Sequence, residues 1–215
     1  MSARNRAAPR KRPRQERSRA TVEVILEAAA HVLVSSGYEA ATTKQIAQRA
    51  GVSIGSLYQY FPSKEALVAT LVERLHQRVL QVLSDKLVPH PIVDLEREVR
   101  ELVGALVAAY AVNPSLQKVL LEQSPRIGPL QVLRDIETRV ELMVQGTLSR
   151  TPGFEHSRGN LALIVFVIVR ALRGAFWAAV IERPELIGTP ELVEELSLLV
   201  LGYLQPRMSP PATGG

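Results

Sequence analysis

The amino-acid sequence predicts an all-α protein: an N-terminal three-helix unit built around a helix-turn-helix, then a larger helical domain. Three observations predict it. Apolar residues recur every three or four positions along most of the chain, the spacing that gathers them on one face of a helix. Glycine, proline and short polar clusters cut this pattern into helix-length segments, at Gly37, Gly51, Pro62, 89–91, Asn113-Pro114, 124–129 and 151–160. No stretch alternates apolar and polar residues for long enough to argue for a sheet. With 215 residues, 47% of them hydrophobic, the chain is long enough for one or two domains with a sizeable core.

The first helix is expected over 21–36, with Val24, Ile25, Ala28, Ala29, Val32 and Leu33 as its buried stripe. Thr42 and Gln45 have the T-x-x-Q spacing of a capping box, in which each side chain satisfies an orphan backbone N–H of the other. Ile46, Ala47 and Ala50 form the apolar stripe of the short helix that follows, and the small Ala47 lets another helix cross closely. Gly51 stands where this helix must stop and turn, a position that favours positive φ. Ser53 caps the next helix, whose Leu57 and Phe61 (i, i+4) face inward. Ile54, Gly55, Ser56, Tyr58, Gln59 and Tyr60 are left to divide between its rim and its exposed face.

Pro62 breaks the chain, Ser63 caps, and a long amphipathic helix is expected over 64–86, carrying Leu67, Leu71, Leu75, Val79 and Val82 on one side. Beyond Pro89-His90-Pro91, helices are expected over 92–112, 114–122, 130–149, 157–182 and 190–204. Residues 124–129 read as a loop, and Pro206, Pro210 and Pro211 mark a loose tail. The expected organisation is a basic disordered arm at 1–17, a helix-turn-helix domain at 18–64, a helical effector-binding and dimerisation domain at 65–205, and a tail at 206–215.

Two short helices joined by a tight turn are the layout in which the second helix enters the DNA major groove. The stretch YEAATTKQIAQRAGVSIGSLYQYFPSKEAL resembles the DNA-binding domain of TetR-family (tetracycline-repressor-like) transcriptional regulators. The likeness covers residues 18 to about 70, and its small, glycine, aromatic and lysine positions agree in order and spacing. It implies a regulator that binds a palindromic operator in double-stranded DNA and is released by a small-molecule effector. It also implies a cytoplasmic homodimer joined through its last two helices.

Chemistry then assigns roles along the two short helices. Thr43 offers a hydroxyl and a backbone N–H to a phosphate, and Thr42 and Ser53 stand beside it at the helix starts. Ile54 and Gly55 lie closest to base edges: glycine permits close approach, and isoleucine suits a thymine methyl. Ser56 hydrogen-bonds a base or a phosphate. Tyr58, Gln59 and Tyr60 match the family's phosphate-contacting positions, with core packing as the alternative for both tyrosines. Lys64 matches the family's phosphate-anchoring lysine.

Charge points the same way. Residues 1–19 hold Arg4, Arg6, Arg10, Lys11, Arg12, Arg14, Arg17 and Arg19 against Glu16 alone, so this arm more than accounts for the net charge of +5. Arg14 and Arg17 are the arm's candidate phosphate contacts. A DNA-architectural protein, binding mainly through the arm and without an effector, is the competing reading. The arm has no apolar core of the kind a secretory signal needs.

The stretch 161–181 is apolar on nearly every face and about as long as a bilayer crossing. However, Arg170 and Arg173 stand in its middle, each costing about 2.5 kcal/mol or more at the centre of a membrane helix. Burial within the domain and against a second copy is therefore expected instead, with Leu196, Leu199, Val200 and Tyr203 of the last helix completing the surface, and no membrane partner. Tyr110, Phe166, Arg170, Phe176 and Trp177 are candidate walls of an effector pocket, the aromatics serving equally as core or interface. Arg170 and Arg173 suit either an anionic effector or Glu137 and Glu141 across a helix interface.

Nothing points to an enzyme. The chain has no cysteine, and His31, His76, His90 and His156 lack the H-x-x-x-H spacing of a helical metal site. Asp94, Glu96, Glu98 and Glu101 alternate with Arg97 and Arg100 as a solvated helix face. No cofactor motif is present.

Overall fold

The structure, a computed structural model, describes residues 12–87, 92–127, 130–154 and 160–208, without the side chains at 12–15, 124–127 and 130–134. Among these residues there are α-helices and short 3₁₀ turns and no strand, in agreement with the all-α reading. The chain divides into two units, Met1–Leu71 and Val72–Gly215.

The first unit holds α1 (Arg12–Ala40), α2 (Thr43–Ala50), α3 (Ile54–Tyr60) and the start of α4 (Lys64–Lys86). Helix α1 begins at Arg12, inside the segment expected as a disordered arm; residues 1–11 lie outside the described residues. Arginine, glutamine and glutamate propagate a helix well, and Pro13 falls in the first turn, where a missing N–H breaks no bond. Gly37 (φ 73°, ψ 170°) interrupts the helix one residue after the expected end. The stripe differs by one position: Leu26 is 1% exposed and Val24 45% exposed. Two apolar residues two positions apart point about 200° apart on a helix, and here Leu26 lies on the side of Ala29 and Leu33. Ile25, Leu33, Ile46, Leu57 and Leu67 are fully buried, each stabilising by about 1.5–3 kcal/mol relative to exposure.

The second unit comprises the rest of α4 with α5 (Leu95–Ala111), α6 (Pro114–Ile127), α7 (Leu130–Leu148), α8 (Leu161–Glu182) and α9 (Pro190–Leu204). Its core gathers Val103, Val107, Phe154, Val165 and Leu201. Asp94 starts α5 as its N-cap, accepting the Arg97 N–H at 3.0 Å, and Thr189 starts α9 ahead of Pro190. Helix α6 runs to Ile127, so 124–127 is helical and not loop: Pro125 falls in the last turn, where it forfeits a single bond. Pro89, His90, Pro91 and His156 lie outside the described residues, as do 209–215 of the expected tail; Gln205–Arg207 forms a 3₁₀ turn. The acidic face of α5 is ion-paired as its spacing suggests, Arg97 with Asp94 and Glu101, Arg100 with Glu96. Arg100 also reaches Glu194 on α9.

Candidate nucleic-acid interface

Local hydrogen bonds shape the helix-turn-helix. The Thr42 Oγ1 accepts the Gln45 N–H at 3.2 Å, and the Thr42 N–H donates to Gln45 Oε1 at 2.9 Å. Gly51 takes the left-handed conformation (φ 67°, ψ 26°). Its N–H and that of Val52 return to the carbonyls of Gln48 and Ala47 at 3.2 and 3.0 Å. Ser53 Oγ accepts the Ser56 N–H at 3.0 Å and starts α3. Leu57 is fully buried and Phe61 nearly so, which fixes the rotation of α3 and turns the opposite side outward. Ser63 Oγ starts α4 by accepting the Ala66 N–H at 3.2 Å.

That outward side carries Ile54 and Tyr58, 42% and 49% exposed, one turn apart, together with exposed Gly55 and Gln59. Ser56 and Tyr60 are half-buried, and Thr42 and Ser53 are exposed as well as capping. A Cβ added at Gly55 would meet only Ser53 Oγ, at 4.0 Å. The fold therefore leaves room for a side chain there, and glycine keeps this part of the helix surface low. The half-buried Thr43 places its Oγ1 3.0 Å from the Tyr58 hydroxyl. This pair joins the start of α2, where orphan N–H groups point outward, to the exposed face of α3.

Lys64 is less free than a surface phosphate anchor. Its Nζ donates to the Tyr38 carbonyl at 2.6 Å and stands 4.1 Å above the Tyr38 ring centre. The Tyr38 hydroxyl in turn donates to Glu65 Oε1 at 3.1 Å. The Glu65 carboxyl is held below its usual range, first by its own backbone N–H and then by Ser63. An ammonium has three donors, so Lys64 retains capacity for a phosphate while held in one place. Arg17 is exposed on α1, its carbonyl accepting the Thr21 hydroxyl at 2.8 Å. Arg14 is helical in backbone, and its side chain lies outside the described residues.

In the second unit, residues from α4, α5, α6, α7, α8 and α9 surround a cavity of about 590 Å³. Of the five pocket candidates, Tyr110, Phe176 and Trp177 line it, with Tyr110 stacked on Phe176 at 5.1 Å between ring centres. Phe166 and Arg170 do not line it. Phe166 is 47% exposed on the outer side of α8, with the Arg170 guanidinium 5.1 Å from its ring. Arg170 is held at 2.9 Å from both Glu137 and Glu141, and Arg173 pairs with Glu137. The arginines therefore meet the α7 carboxylates, as one of the two sequence alternatives had it.

Of the ionisable wall residues, the sequence offers Arg173 and Glu137 as an ion pair or, for Arg173, an anion contact, whereas His76 is not among the pocket candidates. His76 follows Val72 and precedes Val79 and Leu83 on one stripe of α4, and a lone polar residue in an apolar stripe was the available signal. Burial pushes its imidazole pKa down, opposed by Glu73.

On α8 and α9, Leu163, Phe166, Trp177, Leu198 and Leu199 leave large apolar side chains exposed, from 45% to 59%. Leu196 and Val200, expected on this surface, are instead buried. The inward face of α9 runs through 196, 197, 200, 201 and 204, so Leu198 and Leu199 fall on the other side. Helix α8 is long and apolar enough to cross a membrane, as is Glu16–Ala40 within α1, by length and composition only.

Comparison with known proteins covers both units. Residues 25–71 match the family described as bacterial regulatory proteins, tetR family, and residues 94–204 match the tetracyclin repressor-like C-terminal domain. The nucleoid occlusion factor SlmA of Vibrio vulnificus is 34% identical over 103 residues, 46% of this chain and 50% of that protein. The HTH-type transcriptional repressor KstR of Mycolicibacterium smegmatis is 32% identical over 96 residues, 45% of this chain and 43% of that one. The chain thus spans about half the length of these curated relatives. Among solved structures, the fatty acid degradation regulator FadR of Bacillus halodurans superposes with a TM-score of 0.67 at 23% identity, over 85% of this chain and 95% of that one. A TetR-family regulator from Streptomyces coelicolor gives 0.60 at 22% identity, over 87% and 99%. At such identities the likeness is one of fold.

Proposed function

The chain belongs to the TetR family of bacterial regulatory proteins and is a DNA-binding transcriptional regulator, and from that premise we propose that it is a repressor released from a palindromic operator by a small molecule. The observation that carries the reading is the outward face of α3: Ile54 and Tyr58 exposed one turn apart, beside a glycine that the fold does not require. In this proposal Ile54 and Gly55 approach the base edges, while Thr42, Thr43, Ser53, Ser56, Tyr58, Gln59, Tyr60, Lys64, Arg14 and Arg17 bind phosphates or support that approach. Few of these side chains make bidentate base contacts, so part of the readout rests on DNA shape.

Two copies meet through the exposed apolar side chains of α8 and α9, which presents two reading helices to two half-sites about one DNA turn apart. The cavity takes the effector. An effector weakens DNA binding only by as much as it prefers the conformation that fits DNA poorly, typically about 1–3 kcal/mol of coupling. The protein acts in the cytoplasm, with no membrane partner, cofactor or catalytic step.

The test is fluorescence anisotropy on upstream fragments of the source genome, with competitor DNA and several salt concentrations. Tight binding to one palindromic fragment that survives competitor supports the proposal. Uniform binding, steeply salt-dependent and erased by competitor, supports an architectural protein acting through its basic arm.

A further inference from the structure

The effector reading leaves the chemistry of the guest open, and the charges around the cavity narrow it. The wall is mainly aliphatic and aromatic, from residues such as Leu83, Leu106, Val144 and Leu172, and the volume of about 590 Å³ suits a small organic molecule. Two oppositely charged side chains interrupt it, Glu137 on α7 and Arg173 on α8. They are bonded to each other, Arg173 Nη1 donating to Glu137 Oε1. Glu137 Oε2 lies 2.9 Å from Arg170 Nη1, and Arg170 Nη2 lies 2.9 Å from Glu141 Oε1. Both oxygens of Glu137 are thus engaged, and two arginines balance two glutamates. The Arg173 side chain is 62% exposed and that of Glu137 21%, so the pair keeps surface that the head group of a guest can reach.

The other titratable wall groups are neutral near pH 7. Burial pushes the His76 imidazole pKa down against Glu73, and it raises the Tyr110 phenol pKa against Arg173. Thr147, also on the wall, donates its hydroxyl to the Met143 carbonyl at 3.1 Å. Among the described residues the wall therefore offers a guest no uncompensated charge. An ion entering the cavity would lose hydration and find each opposite charge already paired. An apolar guest gains from leaving water and forfeits nothing of this kind. We infer that the cavity takes an uncharged, predominantly apolar molecule, and that Glu137 sets this preference by occupying Arg173. Without the Glu137 charge, Arg170 keeps Glu141, whereas Arg173 loses its carboxylate and becomes a site for an anionic head group.

This inference rests on the cavity being an effector site, and one titration separates the two ideas. Trp177 is the chain's single tryptophan and lines the cavity, so its fluorescence reports occupancy, with thermal unfolding as a second readout. The probes are 1-decanol, decanoate and decylammonium at pH 7.5, added to the full chain, to Glu137→Gln, and to Glu137→Gln combined with Arg173→Met. Wild type should bind 1-decanol at least about tenfold tighter than either ion. Glu137→Gln should bind decanoate at least about tenfold tighter than wild type does, with 1-decanol changed by less than about twofold. Adding Arg173→Met should cancel that gain, which a general loosening of the wall would not do. Should Glu137→Gln fail to fold, Glu137→Met, similar in length and without the charge, repeats the comparison. Wild-type binding of either ion within about tenfold of 1-decanol, or tighter, would overturn the uncharged class while leaving an effector site standing. An unchanged decanoate affinity in Glu137→Gln, or a gain that persists in the double variant, would overturn the role of Glu137. If no probe changes either readout, the effector reading of the cavity falls as well.

Discussion

In the unit ending at Leu71, polar side chains close helix ends and then face outward; in the unit beginning at Val72, the principal charged groups are tied to one another. Thr42, Ser53 and Ser63 each satisfy a backbone N–H three residues away. Arg170, Arg173 and Arg100 instead meet carboxylates on other helices. The first pattern leaves exposed hydroxyls, amides and cations for an external polyanion. The second neutralises charge around an apolar cavity. The difference separates a surface with outward polar groups from a unit whose buried-side charges are already paired.

The comparison breaks most severely at Leu57, which sets the rotation of α3. Leu57→Ala should destabilise the first unit by about 2–5 kcal/mol, seen by calorimetry, and should abolish specific DNA binding. Unchanged binding would show that the outward face does not depend on this buried contact.

In the second unit, Arg170→Ala leaves Glu141 without its cation. The groups involved are 21–30% exposed, so solvent lowers the penalty to about 1–3 kcal/mol, read from denaturant unfolding followed by Trp177 fluorescence. No change in midpoint would mean that the pairs are ornamental to this unit's stability.

Thr42→Ala removes the α2 cap and should cost about 1 kcal/mol, with DNA affinity falling in step. A Thr42→Ser variant should recover most of both, because serine retains the accepting oxygen.

The smallest effect is expected from pH. The folded state holds His76 below the ordinary imidazole pKa of 6.5, so the unfolded chain binds the proton more readily. Stability from this group is therefore full above about 6.5 and is lost as pH falls from there through the depressed folded value. Unfolding midpoints of wild type and His76→Leu over that window check it: the histidine-dependent fall should vanish in the variant.

The same contrast decides what was legible in the sequence. The caps at Thr42, Ser53 and Ser63, the positive φ at Gly51 and the inward Leu57 all depend on residues within four positions of each other, and all agree with the spacing. Where two helix faces are both apolar, spacing loses its meaning. Val24 and Leu26 exchanged roles on α1, and Leu196 and Val200 on α9 turned inward while Leu198 faces out. On α8 the spacing did not tell that Phe176 would line the cavity and Phe166 would not. Lys64 was legible as a helix start, but its clamp on Tyr38 joins residues 26 apart. His76 became informative only once the cavity was assembled around it.

The most direct test of the central claim compares Ile54→Ala with Lys64→Ala on the selected palindrome and on mixed-sequence duplex, across a salt series. For Ile54→Ala the account predicts a fall of about tenfold in the ratio of specific to mixed-sequence affinity, with mixed-sequence binding unchanged. For Lys64→Ala it predicts weaker binding to both duplexes and a salt slope flatter by about one unit. If Ile54→Ala left that ratio unchanged, the outward face of α3 would not be what reads the DNA.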